Sequence, residues 1–128
     1  MNPKIWFITG CSTGFGRHIA LAALAHGDNV VVTARRPEAI ADICEQYPQK
    51  TLALALDVTN AQQIETALSS AIDHFGAIDV LVNNAGYGYV GAIEEGEEAA
   101  VRQLFETNFF GVLALTKGVL PQMRQRGR

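Results

Sequence analysis

The sequence has little cysteine, no excess charge of either sign and no long hydrophobic run. Two cysteines, Cys11 and Cys44, in 128 residues do not make the disulfide framework of a small secreted domain, and they suggest reduced thiols in a cytoplasmic protein. No apolar run approaches the roughly 18 residues needed to span a bilayer. The start, Met1-Asn2-Pro3-Lys4, passes directly into a strand-like segment without a signal-peptide pattern. A soluble protein with no membrane partner is expected. Ten Lys and Arg stand against thirteen Asp and Glu, for a net charge of −3, so the basic footprint of a nucleic-acid binder is missing. His18, His26 and His74 fall in separate segments with no Cys or carboxylate at ligand spacing, and no metal site is expected. What the chain has is apolar residues, 48% of the total, enough for one globular core.

Hydrophobic periodicity switches between two and 3.6 along the chain, with Gly, Pro or Asn at most switches. Lys4 to Thr9 is a short β-branched and aromatic run that predicts a strand. An Ala/Leu-rich helix follows from about Phe15 to His26, with Gly27 as its stop. Asn29 to Ala34 reads as a buried strand, and Pro37 opens a helix with Ile40, Ile43, Cys44 and Tyr47 on one face. Thr51 to Leu56 is a third strand. Thr59 or Asn60 caps a helix whose Ile64, Ala67, Leu68, Ala71, Ile72 and Phe75 recur at helical spacing, and Gly76 closes it. Ile78 to Val82 is a fourth strand, and a long helix runs from about Glu97 towards Met123. Strands alternating with helices predict an α/β, doubly wound parallel sheet.

Between the first strand and first helix lies Thr9-Gly10-Cys11-Ser12-Thr13-Gly14-Phe15-Gly16. Glycines there permit a tight turn, close approach of backbone to a pyrophosphate, and close helix–strand packing, while the helix N-terminus favours negative charge. Cys11 in this turn is either a reactive thiol near a helix N-terminus or, more simply, a small loop side chain. Glu94, Glu95, Glu97 and Glu98 suit the start of the last helix, and Lys117, Arg124, Arg126 and Arg128 suit its end.

The G-x-x-x-G-x-G spacing, Asp57-Val58-Thr59 after the third strand, Asn83-Asn84-Ala85-Gly86 after the fourth, and Thr107-Asn108-Phe109-Phe110-Gly111 in the last helix together resemble the short-chain dehydrogenase/reductase family. The resemblance covers the whole chain but about the N-terminal half of a family member. It implies a Rossmann-like sheet of four strands in order 3-2-1-4, with residues 1–128 as a partial dinucleotide-binding domain. It also implies a nicotinamide cofactor held by Gly10, Ser12, Thr13, Gly14, Phe15 and Gly16, with Asn84, Ala85 and Gly86 beside it. For Asp57 and Val58 the resemblance implies contact with the adenine edge; the alternative is that Asp57 caps the next helix. Asn83 is read either as a strand tie or as a ligand contact. Asn108 falls on an apolar stripe of Val101, Leu104, Phe105, Val112 and Leu115, where an amide needs partners. The resemblance implies an active-site Asn in a proton path.

Cofactor choice follows from the end of the second strand. An acid there hydrogen-bonds a ribose 2′-hydroxyl and selects NAD(H), whereas an Arg accommodates a 2′-phosphate. This chain has Ala34-Arg35-Arg36, so NADP(H) is favoured over NAD(H), through Arg35, Arg36 and the Ser12 hydroxyl. The implied activity is NADP(H)-dependent interconversion of an alcohol with a ketone or aldehyde.

The resemblance also implies a catalytic Ser and a Tyr-x-x-x-Lys. Tyr47, Tyr87 and Tyr89 are followed four residues on by Thr51, Gly91 and Ile93, and no Ser follows Ser70. The chain therefore reads as the cofactor half of a longer reductase. The alternative is a non-catalytic dinucleotide-binding module, a sensor or an assembly subunit. A fourth strand at the sheet edge is expected to need cover, which predicts a homo-oligomer.

Overall fold

The computed structural model describes residues 2–128. Strands β1 (Ile5–Ile8), β2 (Asn29–Ala34), β3 (Thr51–Ala55) and β4 (Val80–Val82) form one parallel sheet in the order β3-β2-β1-β4. The register places Phe7 opposite Val31 on one side and Leu81 on the other. Helices α1 (Gly14–Ala25) and α2 (Ala41–Gln46) cover one face. Helices α3 (Ala61–Phe75), α4 (Glu98–Phe105) and α5 (Gly111–Arg126) follow in the crossover connections. Strand β2, inside the sheet and buried on two faces, reads as a continuous apolar run for that reason.

Two cores result. Ile8, Val30 and Val32 point to α1 and α2, where Ala20, Leu24, Ile40 and Ile43 meet them. Phe7 and Val31 point the other way, onto Ile64, Leu68 and Ala71 of α3 and Leu115 and Val119 of α5. Alternate strand residues feeding opposite layers is the period-two rule at work. The two helices α3 and α5 approach closely at Gly118, where a Cβ would lie 2.5 Å from Leu68 Cδ1.

Several boundaries differ from the sequence expectations. Pro37 opens a 3-10 turn, Pro37–Ile40, and the helix proper begins at Ala41. Strand β4 starts at Val80 rather than Ile78 because the Gln122 side chain takes both Ile78 backbone groups, accepting from its N–H at 3.3 Å and donating to its carbonyl at 2.8 Å. The long final helix is broken: a π-turn, Glu106–Phe110, separates α4 from α5. The apolar stripe expected to be buried there is buried in part: Val101 and Phe105 are exposed, Leu104 and Val112 half-buried and Leu115 buried. Asn60 caps α3, accepting from Gln63 N–H at 3.0 Å. The alternative in which Asp57 caps it does not hold; Asp57 instead accepts from the Thr59 N–H and hydroxyl at 2.9 and 2.7 Å.

Candidate dinucleotide site

The carboxyl ends of β1, β2 and β4 converge where the chain turns into helices, the usual place for a ligand in such a sheet. Thr9, buried at the end of β1, organises the junction. Its hydroxyl accepts from both Asn84 N–H and Ala85 N–H at 2.9 Å. Asn84 reaches back and donates to the Gly10 carbonyl at 3.0 Å. A Cβ on Gly16 would lie 2.2 Å from that same carbonyl oxygen, and Gly10 itself has φ +66° with Ala85 Cα 3.1 Å from its Cβ position. The turn is glycine-rich because β1, α1 and the end of β4 occupy the space that side chains would need. No side chain caps the first turn of α1 at Thr13, which leaves its N–H groups for an anion.

A cleft of about 670 Å³ opens above this junction. Gly10, Ser12, Thr13 and Phe15 supply one wall; Ala34 and Arg35 from β2, with Leu56, Asp57 and Val58 after β3, supply a second; Asn84, Ala85, Gly86 and Tyr87 supply a third. Arg35 is exposed and close enough for its charge to favour the Asp57 carboxylate. The hydrogen bonds from Thr59 are the larger influence, and together they hold the Asp57 carboxyl below the usual carboxylate range despite its partial burial.

Four of the residues anticipated at the site stand outside that lining. Gly14 and Gly16 belong to the turn and first helical residues; Gly16 is buried against Gly10, so its part is packing. Arg36, exposed, precedes the Pro37 turn. Asn108 lies in the π-turn and is exposed, yet its amide is paired: Oδ1 accepts from Tyr87 N–H at 3.1 Å and Nδ2 donates to the Tyr87 carbonyl at 2.6 Å. Asn83 is not a tie between strands. It donates to Thr116 Oγ1 of α5 at 3.4 Å, and Asn84 does the tying. Tyr87, which follows the fourth strand and so was open to sequence reasoning as a pocket-wall residue, borders the cleft; Gln103 and Thr107, which also border it, were missed.

Cys11 is buried, its Sγ 3.2 Å from the Ile8 carbonyl oxygen, and burial pushes its thiol up to about 12. It is a packed turn residue rather than a reactive one. A second concavity of about 510 Å³, between α3 and α5, is lined by Ile64, Leu68, Ile72 and Ala114. The convergent polar groups are in the first cleft, so the chemistry belongs there. Among the described residues no cluster of three His, Cys, Asp or Glu could hold a metal ion, and no helix is long and apolar enough to cross a membrane.

Residues 4–128 match the family model for short chain dehydrogenase. The chain belongs to the short-chain dehydrogenase family. It is 43% identical over 124 residues to the oxidoreductase BOA17 of Botryotinia fuckeliana, covering 96% of this chain and 45% of that protein. Among solved structures, a short-chain dehydrogenase from Streptomyces avermitilis superposes with TM-score 0.95 at 49% identity, over 98% of this chain and 46% of that one. An alcohol dehydrogenase from Thermococcus sibiricus, solved with 5-hydroxy-NADP, gives 0.93 at 31% over 98% and 55%. A 3-ketoacyl-(acyl-carrier-protein) reductase from Brucella melitensis, solved with NADH, gives 0.92 at 29% over 97% and 52%. The short-chain dehydrogenase described here thus spans less than half the length of the BOA17 oxidoreductase. Its fold, a four-stranded parallel sheet in the order 3-2-1-4, is that of the family, and the family is one of oxidoreductases using nicotinamide dinucleotides.

Proposed function

We propose that the chain is the cofactor-holding half of an NADP(H)-dependent oxidoreductase that interconverts an alcohol with a ketone or aldehyde. The observation that carries this reading is the cleft in which the uncapped α1 N-terminus, Arg35 and the Asn84–Tyr87 segment face one space. The α1 end suits a pyrophosphate. Arg35, at the end of β2 where no acid stands, suits a 2′-phosphate through its planar fork, with Ser12 beside it. The narrow backbone approach at Gly10 and Ala85 suits a flat ring system. When bound, the reduced nicotinamide supplies the hydride. This chain's residues bind the cofactor, orient it and, through Asn108, hold the Tyr87 backbone beside it.

In this reading the proton donor and the substrate pocket come from sequence outside these 128 residues, because none of Tyr47, Tyr87 and Tyr89 starts a Tyr-x-x-x-Lys. That same feature favours a second reading for the 128 residues alone, a dinucleotide-binding module without turnover. The free thiols of Cys11 and Cys44 agree with a cytoplasmic setting. Self-association is also proposed. Strand β4 ends the sheet and is half-buried, and Phe105, Phe109, Phe110 and Leu113 of the final helical segments present exposed apolar surface.

Titration of NADPH and NADH against the wild type and Arg35→Ala tests the cofactor assignment. NADPH should bind at least about tenfold tighter to the wild type, the scale of one charge-assisted contact. Arg35→Ala should lose that preference while keeping its NADH affinity. An equal loss for both cofactors would remove the 2′-phosphate argument, and ketone reduction by the 128-residue chain would contradict the placement of the proton donor. A monomer in sedimentation at micromolar concentration would remove the proposal of self-association.

A further inference from the structure

Strand β3 ends the sheet on the side away from β4. Its backbone groups divide by parity. The Lys50 carbonyl accepts from Val30 N–H, and Leu56 N–H donates to the Ala34 carbonyl, both at 2.9 Å. In a parallel ladder the even residues between them, Leu52 and Leu54, also face β2, which turns the N–H and C=O groups of Thr51, Ala53 and Ala55 to the open edge. Folded proteins usually blunt such an edge with charge, proline or a bulge. Here Thr51-Leu52-Ala53-Leu54-Ala55-Leu56 carries no charge and no proline, and the register with β2 runs unbroken from Thr51 to Ala55. The adjoining Lys50 is engaged elsewhere, donating to the Gly27 carbonyl at 3.3 Å.

Beside this edge lies a slot of about 470 Å³, lined by Leu54 and Ala55 of the strand and by Gln62, Gln63, Thr66 and Ser70 of α3, with no ionisable side chain in its walls. The acids of α3 that border a concavity, Glu65 and Asp73, do so on the α5 side. Leu52 and Leu54 pack only in part onto the α3 core. The occupant that fits is a neutral strand with alternating leucines, which is what β3 itself offers. In a two-fold antiparallel pair centred on Ala53, each Ala53 exchanges both backbone bonds with its counterpart, and each Thr51 does so with the Ala55 opposite. Leu52 of one copy then stands across from Leu54 of the other, at the closer, non-hydrogen-bonded positions on the α3 face, where the slot receives it. We propose that the β3 edge is an interface between two copies of this chain, paired antiparallel about Ala53 into one continuous sheet. This surface is distinct from the β4 end and stands independently of the dinucleotide reading. A five-residue strand makes a small interface, so the dimer is weak and forms with rising concentration.

Amide hydrogen exchange at micromolar and at millimolar concentration tests the pairing residue by residue. The Leu52 and Leu54 amides, bonded to β2, should be protected at both. The Ala53 and Ala55 amides face water in a single copy and should gain at least about tenfold protection at the higher concentration. Two variants should abolish that gain. Ala53→Pro removes a donor that β2 does not use, and its readout is the Ala55 amide. Thr66→Glu places a carboxylate in the slot that the second copy's leucines would fill. Thr66 is exposed and Glu is the better helix former, so the single copy of this variant should keep its unfolding midpoint. If the Ala53 and Ala55 amides exchange equally fast at both concentrations, β3 pairs with no second copy and the inference falls. If sedimentation shows association while these amides stay unprotected, the contact lies elsewhere, such as the β4 end, and the inference falls as well. Protection that persists in both variants would show a cause other than strand pairing and overturn it.

Discussion

Asn108 and Tyr87, 21 residues apart, are joined by a closed pair of hydrogen bonds in which one side-chain amide serves both backbone groups of a single residue. The arrangement explains why the helix is interrupted at Glu106–Phe110. A π-turn admits an extra residue, and here it presents Asn108 to the segment after β4 while Gly111 keeps its close contact with Val58. Space is tight as well: a Cβ on Gly86 would lie 2.9 Å from Asn108 Oδ1. Asn108→Ala should leave two backbone groups to water and cost about 1 to 2 kcal/mol. Hydrogen exchange is the direct readout, with the Tyr87 amide losing protection while amides of β1 and β2 keep theirs. Asn108→Asp should restore the bond from Tyr87 N–H and not the one to its carbonyl, so its protection should fall between the two.

The sheet and the glycine turn were legible because they rest on local patterns. Unbroken apolar runs such as Asn29–Ala34 can be buried on two faces, and the glycines before α1 fall where chain segments meet. What escaped was long-range. Gln122 shortens β4 from 44 residues away, and the π-turn depends on a contact between Asn108 and Tyr87 that no periodicity contains. Arg126 and Arg128 looked like charges matched to a helix dipole, yet both pair with Asp79. The apolar stripe of α4 misled for the opposite reason: its period was right, but Val101 and Phe105 face no layer among the described residues.

The glycines of the turn should differ sharply in tolerance. Gly14 has φ +62° and nothing within 4 Å of its Cβ position, so Gly14→Ala meets backbone strain without a clash. Its cost should be about 1 kcal/mol. Gly16 has ordinary helical space on its own helix, but its Cβ would lie 2.2 Å from a backbone oxygen of Gly10 and 2.4 Å from Asn84 Nδ2. Neither neighbour is the free end of a flexible side chain, so Gly16→Ala should cost more than about 3 kcal/mol or prevent folding. Urea unfolding of the two variants separates them; similar midpoints would contradict the geometry at Gly16.

The two cysteines should react in a fixed order. The Cys11 thiol is buried, close to the Ile8 carbonyl and pushed up to about 12, so almost no thiolate exists at neutral pH. Cys44 is half-buried on α2. Iodoacetamide at pH 8 should label Cys44 in the folded protein, and Cys11 should be labelled in denaturant alone, as read by peptide mass. Labelling of Cys11 at the faster rate would show that the turn opens readily.

Acid should release the start of β1 before the rest of the sheet. Two buried carboxylates hold it: Asp28 accepts from Lys4 N–H at 3.0 Å and from the Trp6 indole N–H at 3.0 Å, and Asp79 accepts from Ile5 N–H at 2.9 Å. Burial by itself would raise both acids. At Asp28 the Lys4 and Trp6 hydrogen bonds and His26 outweigh it, and at Asp79 the Ile5 amide with Arg128 and Arg126 does the same, so both folded-state values lie below the ordinary one. A carboxyl with a depressed value contributes stability in full above its unfolded value of about 4, and loses it as pH falls through the folded value. Thermal unfolding should therefore show a level midpoint between about pH 5 and 7 and a steep decline below about 4. Asp28→Asn and Asp79→Asn should each be less stable at pH 7 and each flatten part of the acid decline. High salt should weaken the exposed Arg128 contact more than the bonds from backbone amides. A variant that kept the full wild-type slope would show that its carboxylate is not what acid titrates in loosening β1.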